Sequence, residues 1–438
     1  MILSERVRTG VVLALVAAAN VAILMALPWW VLLVYLAGVW AWILFTHDGQ
    51  QSWSITRVGL ATVTKRLGSS SVVVVGIAGV VGVLVGILAM GAGFEQTLKQ
   101  TGSNDTVIVL SAGAPTEGTS TVDGDTLSLV SQLPQIRKDR DGAPIVSAEE
   151  ITTAVLPKKS SGLDADVGLR GVGQQVWTLW PGIKIIAGRK FKPGLAELVV
   201  GKDAHEQFRG LDVGSTIRLE GQSWNVVGIF NSGDAHNSEI WGATDVVGSA
   251  YRRENGFNSL TVQLTSALAL KAFKAGLSSD PRIKVDAETT RRFYSRQSEG
   301  VAQMIGIIGV TIGTIMAIGA VFGALNAMYS AIASRVREIA TLRAIGFRTL
   351  PVIISVLLEA MLLATLGGAI GGVAAWAIFD GFIGTTLSAT GQLAFAFAVS
   401  PLLVANGLKW ALVIGLIGGL FPAIRAARMV VAISLREL

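Results

Sequence analysis

Four long apolar stretches constrain this 438-residue sequence more than any other feature. They cover residues 71–93, 301–333, 350–379 and 402–424, and each exceeds the roughly 20 residues that an α-helix needs to cross a bilayer. The chain is 51% hydrophobic and only 15% charged, which is unusual for a soluble domain. The sequence therefore predicts a polytopic α-helical membrane protein with a core of four spanning helices.

The segment 103–287 differs in composition from its surroundings and predicts a folded domain. It holds most of the acidic residues and several short Val/Ile-rich runs bounded by Gly, Asp, Asn and Pro, a pattern typical of strands. The predicted strands cover 106–111, 151–156, 167–172, 197–201, 215–220, 223–230 and 259–264, and the predicted helices lie near 122–133, 203–209, 243–254 and 266–277. We expect an α+β domain, large enough for its own core, inserted between two spans.

The first 70 residues predict two further features. Residues 1–48 are mostly apolar and are interrupted at Pro28, so we interpret them as an N-terminal transmembrane hairpin. A cleaved signal peptide is the alternative, although the second apolar half would still anchor the chain. Residues 49–70 predict an amphipathic helix on the membrane surface. The side chains expected to face lipid there are Trp53, Ile55, Val58 and Leu60.

The distribution of Lys and Arg predicts the topology. Both termini and the segments 49–70 and 334–349 are basic, whereas 380–401 contains no Lys or Arg. Under the positive-inside rule the termini lie in the cytoplasm and the large domain lies outside. A polar helix at 288–300 that continues into the second span would be longer than a bilayer is thick, at about 1.5 Å per residue, and would form a stalk.

The predicted segments follow from this topology. They are the hairpin 1–48, the interfacial helix 49–70, the first core span and stalk 71–102, the α+β domain 103–287, the stalk and second core span 288–333, the cytoplasmic helix 334–349, the third core span 350–379, the external loop 380–401, the fourth core span 402–424 and the cytoplasmic tail 425–438.

The short segment between the second and third core spans is a candidate contact surface. Its sequence from residue 334, SRVREIATLRAIGFR, places apolar residues at near-helical spacing among charged ones. The charged residues are Arg335, Arg337, Glu338, Arg343 and Arg348. Such a basic amphipathic helix suits a surface that meets a cytoplasmic partner, and a positive-inside anchor without a partner is the alternative.

Several kinds of chemistry find no support in the sequence. There is no cysteine, which excludes disulfides and thiol catalysis, and the one Gly-Lys pair, Gly201-Lys202, is not part of a P-loop. His236 with Asp234 and Glu239 is a conceivable metal cluster, but a polar loop explains these residues as well. The basic residues flank apolar spans, so we expect no nucleic-acid partner.

Three sets of motifs resemble FtsX/MacB-type ABC transporter permeases. The segment 334–348 with LLEAMLLATLGGAIGG at 357–372 is similar to the family's cytoplasmic coupling helix and the span that follows it. The order of motifs at 188–189, 197–201, 213–219 and 224–228 is similar to the MacB-like periplasmic core. GLFPAIRAAR at 419–428 resembles the family's C-terminal motif, although Val430-Val431 stand where a proline step is usual.

The resemblance implies a permease subunit with a four-helix FtsX-like core that carries no catalytic site of its own. A separate ABC ATPase would bind ATP and Mg²⁺, and a second permease chain, identical or paralogous, would complete the transporter. It would reside in the bacterial inner membrane and export a periplasmic substrate, often with a periplasmic membrane-fusion adaptor and an outer-membrane channel. A lipoprotein-releasing permease and an FtsX-like regulator of a cell-wall hydrolase are the alternatives.

The resemblance also suggests which residues act. The residues expected to contact the ATPase are Arg335, Arg337, Glu338, Ile339, Leu342, Arg343 and Gly346. The glycines expected at helix contacts are Gly82, Gly86, Gly367, Gly371, Gly415 and Gly419. Glu359 lies within a span, where it is either a polar site for protons or substrate, or a structural partner of a basic residue.

Overall fold

The structure is a computed structural model that describes residues 28–61, 67–253, 256–347, 349–388 and 391–427. The helices are α1 (Trp29–Phe45), α2 (His47–Ala61), α3 (Leu67–Gln100), α4 (Gly124–Ser131), α5 (Val176–Leu179), α6 (Lys202–Gln207), α7 (Thr244–Ala250), α8 (Leu270–Ser279), α9 (Thr290–Ala333), α10 (Val336–Ala344), α11 (Thr349–Phe379) and α12 (Pro401–Ala427). The strands are β1 (Thr106–Ser111), β2 (Val146–Pro157), β3 (Asp164–Val172), β4 (Lys184–Gly188), β5 (Glu197–Gly201), β6 (Thr216–Leu219), β7 (Gln222–Asn231), β8 (Glu239–Ala243), β9 (Ser259–Gln263), β10 (Val285–Thr289), β11 (Ile383–Ser388) and β12 (Gly391–Ala396).

The chain forms two compact units. The membrane unit comprises the described residues up to Gly91, then Met304–Gly381, then those from Ala398 onward. The extracytoplasmic unit comprises Ala92–Gln303 and Phe382–Phe397. Helices α3 and α9 each contribute residues to both units.

The membrane unit contains the predicted core spans. In the described part of the chain, four helices are long and apolar enough to cross a bilayer, and these are α3, α9, α11 and α12. Helix α1 has 17 residues, fewer than the roughly 20 that a perpendicular span requires. The first half of the predicted N-terminal hairpin, residues 1–27, lies outside the described residues, as does the end of the tail at 428–438.

Helix α2 packs against protein on the side that was expected to face lipid. Ile55 is buried in an apolar cluster with Val352 and Val356 of α11, and Ser52 and Thr56 on the same helix are also buried. Trp53 is half-buried and makes an edge contact with Trp40, while the side chains of Val58 and Leu60 lie outside the described ones. The prediction for Ile55 is therefore wrong, because α11 offers it an apolar surface that amphipathicity alone cannot distinguish from lipid.

The extracytoplasmic unit is organised by one mixed sheet. In the described residues this sheet has ten strands in the order β10-β1-β9-β2-β3-β8-β5-β7-β4, with β6 paired to β7. Helices α4 and α8 pack with β1, β9 and β10 around Phe273, and α6 and α7 pack with β3, β5, β7 and β8 around Trp224. A third apolar cluster surrounds Trp241 and Phe230, so the described part of the domain has at least three apolar clusters along a single continuous sheet.

Several elements of this unit were not predicted. The strands β4 and β8 lie in segments that were almost wholly unassigned, and β10 overlaps the first residues of the helix predicted at 288–300, which begins at Thr290. A hairpin of β11 and β12 replaces the loop expected at 380–401. The two strands pair antiparallel from Ile383–Ala396 to Ser388–Gly391. The amide of Ala394 donates to Ser238 Oγ at 2.9 Å, so the hairpin is attached to the domain. The sequence of the hairpin did not predict strands, because its alternation of small and aromatic residues is short and no charged residue marks the exposed face.

Candidate functional site

The candidate coupling helix α10 is held on the membrane unit by its apolar face. Ile339 and Ala340 are buried, and Leu342 packs partly buried against the same cluster. That cluster also contains Val352 of α11 and Ile332 of α9. Because the residues at 339, 340 and 342 contact the spans, the opposite face of α10 is the one left to meet another molecule.

The charged residues of this helix lie on its open side. Arg337 and Glu338 are exposed and Arg343 is half-buried. Arg335 Nε donates to Glu338 Oε2 at 3.0 Å, the i,i+3 pair expected on one helix face. A pair of this kind with half its carboxylate in solvent is worth only about 0–1 kcal/mol, so a partner could readily compete for Glu338.

Gly346 ends the coupling helix. Its φ of +106° lies in the left-handed region, which glycine adopts without strain, and its amide donates to the carbonyl of Arg343 at 3.2 Å. Gly346 is exposed, and a Cβ added there would meet no atom within 4 Å. Replacing Gly346 by another residue would therefore strain the backbone rather than cause a clash with neighbouring atoms. Arg348 lies outside the described residues.

Glu359 has a basic partner at the start of the coupling helix. Its side chain is only 7% exposed, and Oε2 accepts from Arg335 Nη1 at 3.0 Å. Arg335 thus joins Glu338 of α10 to Glu359 of α11. A carboxylate buried in a span is costly unless it is paired, so this bond agrees with the structural alternative for Glu359.

The six glycines expected at helix contacts lie where helices approach closely. A methyl group added to Gly367 would be 2.7 Å from the carbonyl oxygen of Val74, and one added to Gly371 would be 2.9 Å from Cα of Ala78. At the other positions the nearest atoms belong to Gly371 for Gly82 (3.6 Å), Phe379 for Gly86 (2.8 Å), Ala364 for Gly415 (2.5 Å) and Ala360 for Gly419 (2.6 Å). At all but Gly82 a Cβ would force a neighbour to move, so these glycines permit the present spacing of the helices.

A buried charge cluster in the extracytoplasmic unit escaped the sequence analysis. Arg170 on β3 is 3% exposed and its guanidinium contacts three carboxylates, those of Glu117 (2.9 Å), Glu149 (2.8 Å) and Glu239 (2.8 Å). Burial raises the pKa of Glu149 despite Arg170. Burial also opposes ionisation of Glu239, but Arg170 outweighs it and lowers the pKa of that carboxyl. The signal was available in sequence, since Arg170 interrupts a predicted apolar strand.

His236 forms a second buried ion pair beside this cluster. Its Nδ1 lies 3.1 Å from Asp234 Oδ1, and its ring packs on Trp180 with the centroids 4.9 Å apart. Burial alone would lower the pKa of His236, but the Asp234 carboxylate raises it overall. In the described part of the chain no group of three or more His, Asp or Glu side chains could hold a metal ion. Glu239, the third residue of the conceivable metal cluster, instead binds Arg170.

Two family models match most of the chain. The model of the MacB-like periplasmic core domain matches residues 70–279, and that of the FtsX-like permease C-terminal domain matches residues 310–431. The first covers the spanning helix α3 and most of the extracytoplasmic unit, and the second covers α10 to α12. Their order along the chain is the one that the sequence motifs indicated.

Individual relatives are more distant. The chain is 24% identical over 318 residues to the macrolide export ATP-binding/permease protein MacB of Neisseria gonorrhoeae, covering 66% of this chain and 47% of that protein. It is 24% identical over 394 residues to the ABC transporter permease YknZ of Bacillus subtilis, covering 85% of this chain and 96% of YknZ. It thus spans about half the length of the MacB relatives but nearly all of YknZ.

The solved extracellular domain of YknZ aligns at 15% identity with a TM-score of 0.33, covering 42% of this chain and 98% of that domain. A MacB-like core domain followed by an FtsX-like C-terminal domain, in a chain with membrane-spanning helices, places this protein in the MacB/FtsX-type ABC transporter permease family.

Proposed function

We propose that this chain is the permease subunit of a MacB-like ABC transporter that couples a separate ATPase to its extracytoplasmic domain. The observation that carries the proposal is helix α10, whose apolar residues are buried on the spans while Arg337 and Glu338 face outward. Because the sequence contains no P-loop, the partner ATPase would bind ATP and Mg²⁺. The chain itself would catalyse no reaction.

The contact with the ATPase would use the polar face of α10. Arg337, Glu338 and Arg343 would form the polar contacts, and Ile339 with Leu342 would hold the helix on the spans. This division suits a helix that must transmit force, because a push on a side chain moves the spans only if the helix is anchored to them. The Arg335 bridge to Glu359 adds a second attachment at the N-terminal end of α10.

Motion would then pass along the two helices that contribute to both units. Helix α9 ends at Ala333, directly before α10, and α3 is the other helix with residues in both units. In the proposed topology the termini and α10 are cytoplasmic and the large domain is periplasmic. Two permease chains would pair, and the likeness to a macrolide export protein supports efflux. A periplasmic substrate, an adaptor and an outer-membrane channel are the further parts of this proposal.

Co-purification from native membranes tests the proposal. The wild-type chain should retain an ABC ATPase and ATP hydrolysis in mild detergent, and Glu338→Ala with Arg343→Ala should lose both. A matched control is Lys202→Ala with Glu206→Ala, which removes one basic and one acidic side chain of similar exposure from α6 in the other unit. Loss of the ATPase in the α10 variant alone supports the coupling surface.

The same samples separate the kinds of transporter. An adaptor bound to the wild-type chain supports efflux, whereas bound lipoproteins or a cell-wall hydrolase support one of the alternative functions. If no ATPase is recovered with the wild-type chain, or if the α10 variant retains as much ATPase as the control, the coupling proposal fails and α10 is a topology anchor.

A further inference from the structure

The extracytoplasmic unit encloses a cavity of about 220 Å³ beside the buried Arg170 cluster. Its lining comes from the outer ends of α3 and α9, from β3 and β8, and from β12 of the hairpin. The apolar lining includes Phe94, Leu98, Val301 and Leu393. The polar lining includes Glu117, Arg170, His236, Glu239, Tyr294 and Gln392. The cavity is below the roughly 300–1,000 Å³ of pockets for drug-sized ligands, so it suits a smaller molecule.

Two groups of the polar lining lack a hydrogen-bond partner among the described residues. Tyr294 is 7% exposed, and its hydroxyl makes no hydrogen bond although the residue lines the cavity. Gln392 Oε1 is buried and also unpaired. Buried polar atoms are nearly always satisfied, and each exception calls for an explanation such as water or a ligand. Each group can accept a hydrogen bond from a guest in the cavity.

The charges around the cavity favour a cation. Arg170 is the only guanidinium in the lining, and three carboxylates contact it. His236 also lines the cavity, and the Asp234 carboxylate offsets its charge when the imidazole is protonated. A carboxylate or phosphate ligand would therefore be repelled by the surplus of negative charge, whereas an ammonium group would neutralise part of that surplus.

The aromatic lining points the same way. Phe94 and Tyr294 line the cavity together with the carboxylates of Glu117 and Glu239. Rings attract ammonium ions through their quadrupoles, and aliphatic neighbours such as Leu98 and Val301 can cover an apolar body. Water could fill the space, at about 30 Å³ per molecule, but it would leave the negative surplus uncompensated.

We propose that this cavity binds a small amphipathic organic ammonium ion, with its ammonium group hydrogen-bonded to the polar lining and its apolar body against the apolar lining. The proposal goes beyond transport coupling, because every lining residue belongs to the extracytoplasmic unit and none to α10. Binding can therefore be measured on the permease chain without an ATPase.

Calorimetric titration of the full chain in lipid nanodiscs tests the site, with empty nanodiscs as the blank. Phenethylammonium is the probe, and phenethyl alcohol and phenylacetate are its neutral and anionic counterparts. We expect one saturable site per chain for the ammonium ion, about tenfold or more weaker binding of the alcohol, and no binding of phenylacetate. Phenylacetate binding as tight as phenethylammonium would overturn the cation preference.

Three variants locate the site. Val301→Trp should abolish saturable binding by filling the cavity, whereas Val155→Trp, on an exposed strand position, should bind as wild type does. Tyr294→Phe should weaken binding about two- to tenfold without lowering thermal stability, since the hydroxyl has no structural partner. No saturable heat above empty nanodiscs, or unchanged affinity in both cavity variants, would refute the site. A failed ATPase co-purification would leave this result unaffected.

Discussion

Replacing Arg170 by Met should destabilise the extracytoplasmic unit by about 4 kcal/mol at neutral pH. The Arg170 side chain is only 3% exposed, and its guanidinium donates to three carboxylates whose side chains are 4–11% exposed. Removing one partner of a buried ion pair typically costs about 3–5 kcal/mol, because the remaining charge stays buried without compensation. Met fills much of the same volume, so little of the loss would come from a cavity.

Protonation of the glutamates limits the free energy of unfolding that Arg170→Met can remove. Burial already raises the pKa of Glu149, so that carboxyl can take up a proton once Arg170 is gone. The penalty should therefore shrink as the pH is lowered from about 7 to about 5, since protonated carboxyls no longer need the guanidinium. Against the roughly 5–15 kcal/mol that holds a typical domain folded, the loss at neutral pH remains large.

Hydrogen–deuterium exchange of the full chain in nanodiscs can measure this loss as a change in the opening free energy of β3 and β8. The matched control is Arg189→Met, because Arg189 is 48% exposed and pairs with Glu197 at the surface. That control should change the free energy far less, because solvent screens the exposed guanidinium. If Arg170→Met costs as little as the control, the cluster contributes no buried electrostatic stability and the reasoning is wrong.

Two further predictions concern helix packing and the buried histidine. Gly371→Val should lower the thermal stability of the detergent-solubilised chain by about 1–3 kcal/mol through overpacking on α3, whereas Gly319→Val, with no neighbour within 4 Å, should change it little. The raised pKa of His236 contributes stability that is complete below its ordinary value of 6.5 and is lost as the pH rises through the higher folded value. The lowered pKa of Asp234 contributes stability that is complete above its ordinary value of 3.8 and is lost as the pH falls through the lower folded value. His236→Gln should therefore destabilise the extracytoplasmic unit more at about pH 5.5 than at about pH 8, as measured by hydrogen–deuterium exchange.

Short-range sequence patterns predicted the helices and strands whose residues all face the same surroundings, either lipid or the apolar interior of the domain. The core spans needed only uninterrupted apolar composition, and β1 and β5 needed only short Val/Ile-rich runs. The helix at 334–349 was predictable in kind, because charged and apolar residues alternate at helical spacing. In contrast, β8 owes its strand to partners distant in sequence, as in its parallel pairing with β3. The β11–β12 hairpin pairs locally, but its attachment to Ser238 depends on a segment far away in the chain.

The sequence by itself determined the spanning helices, the inserted α+β domain, the family and the charged face of the coupling helix. Composition and periodicity record whether a residue is apolar, charged or small, and these properties suffice where lipid or water is the environment. Only the tertiary structure decided that Arg170 collects three glutamates and that Arg335 reaches Glu359. The energy of a buried charge depends on which opposite charge lies within about 3 Å, and that distance exists only after distant segments have packed together.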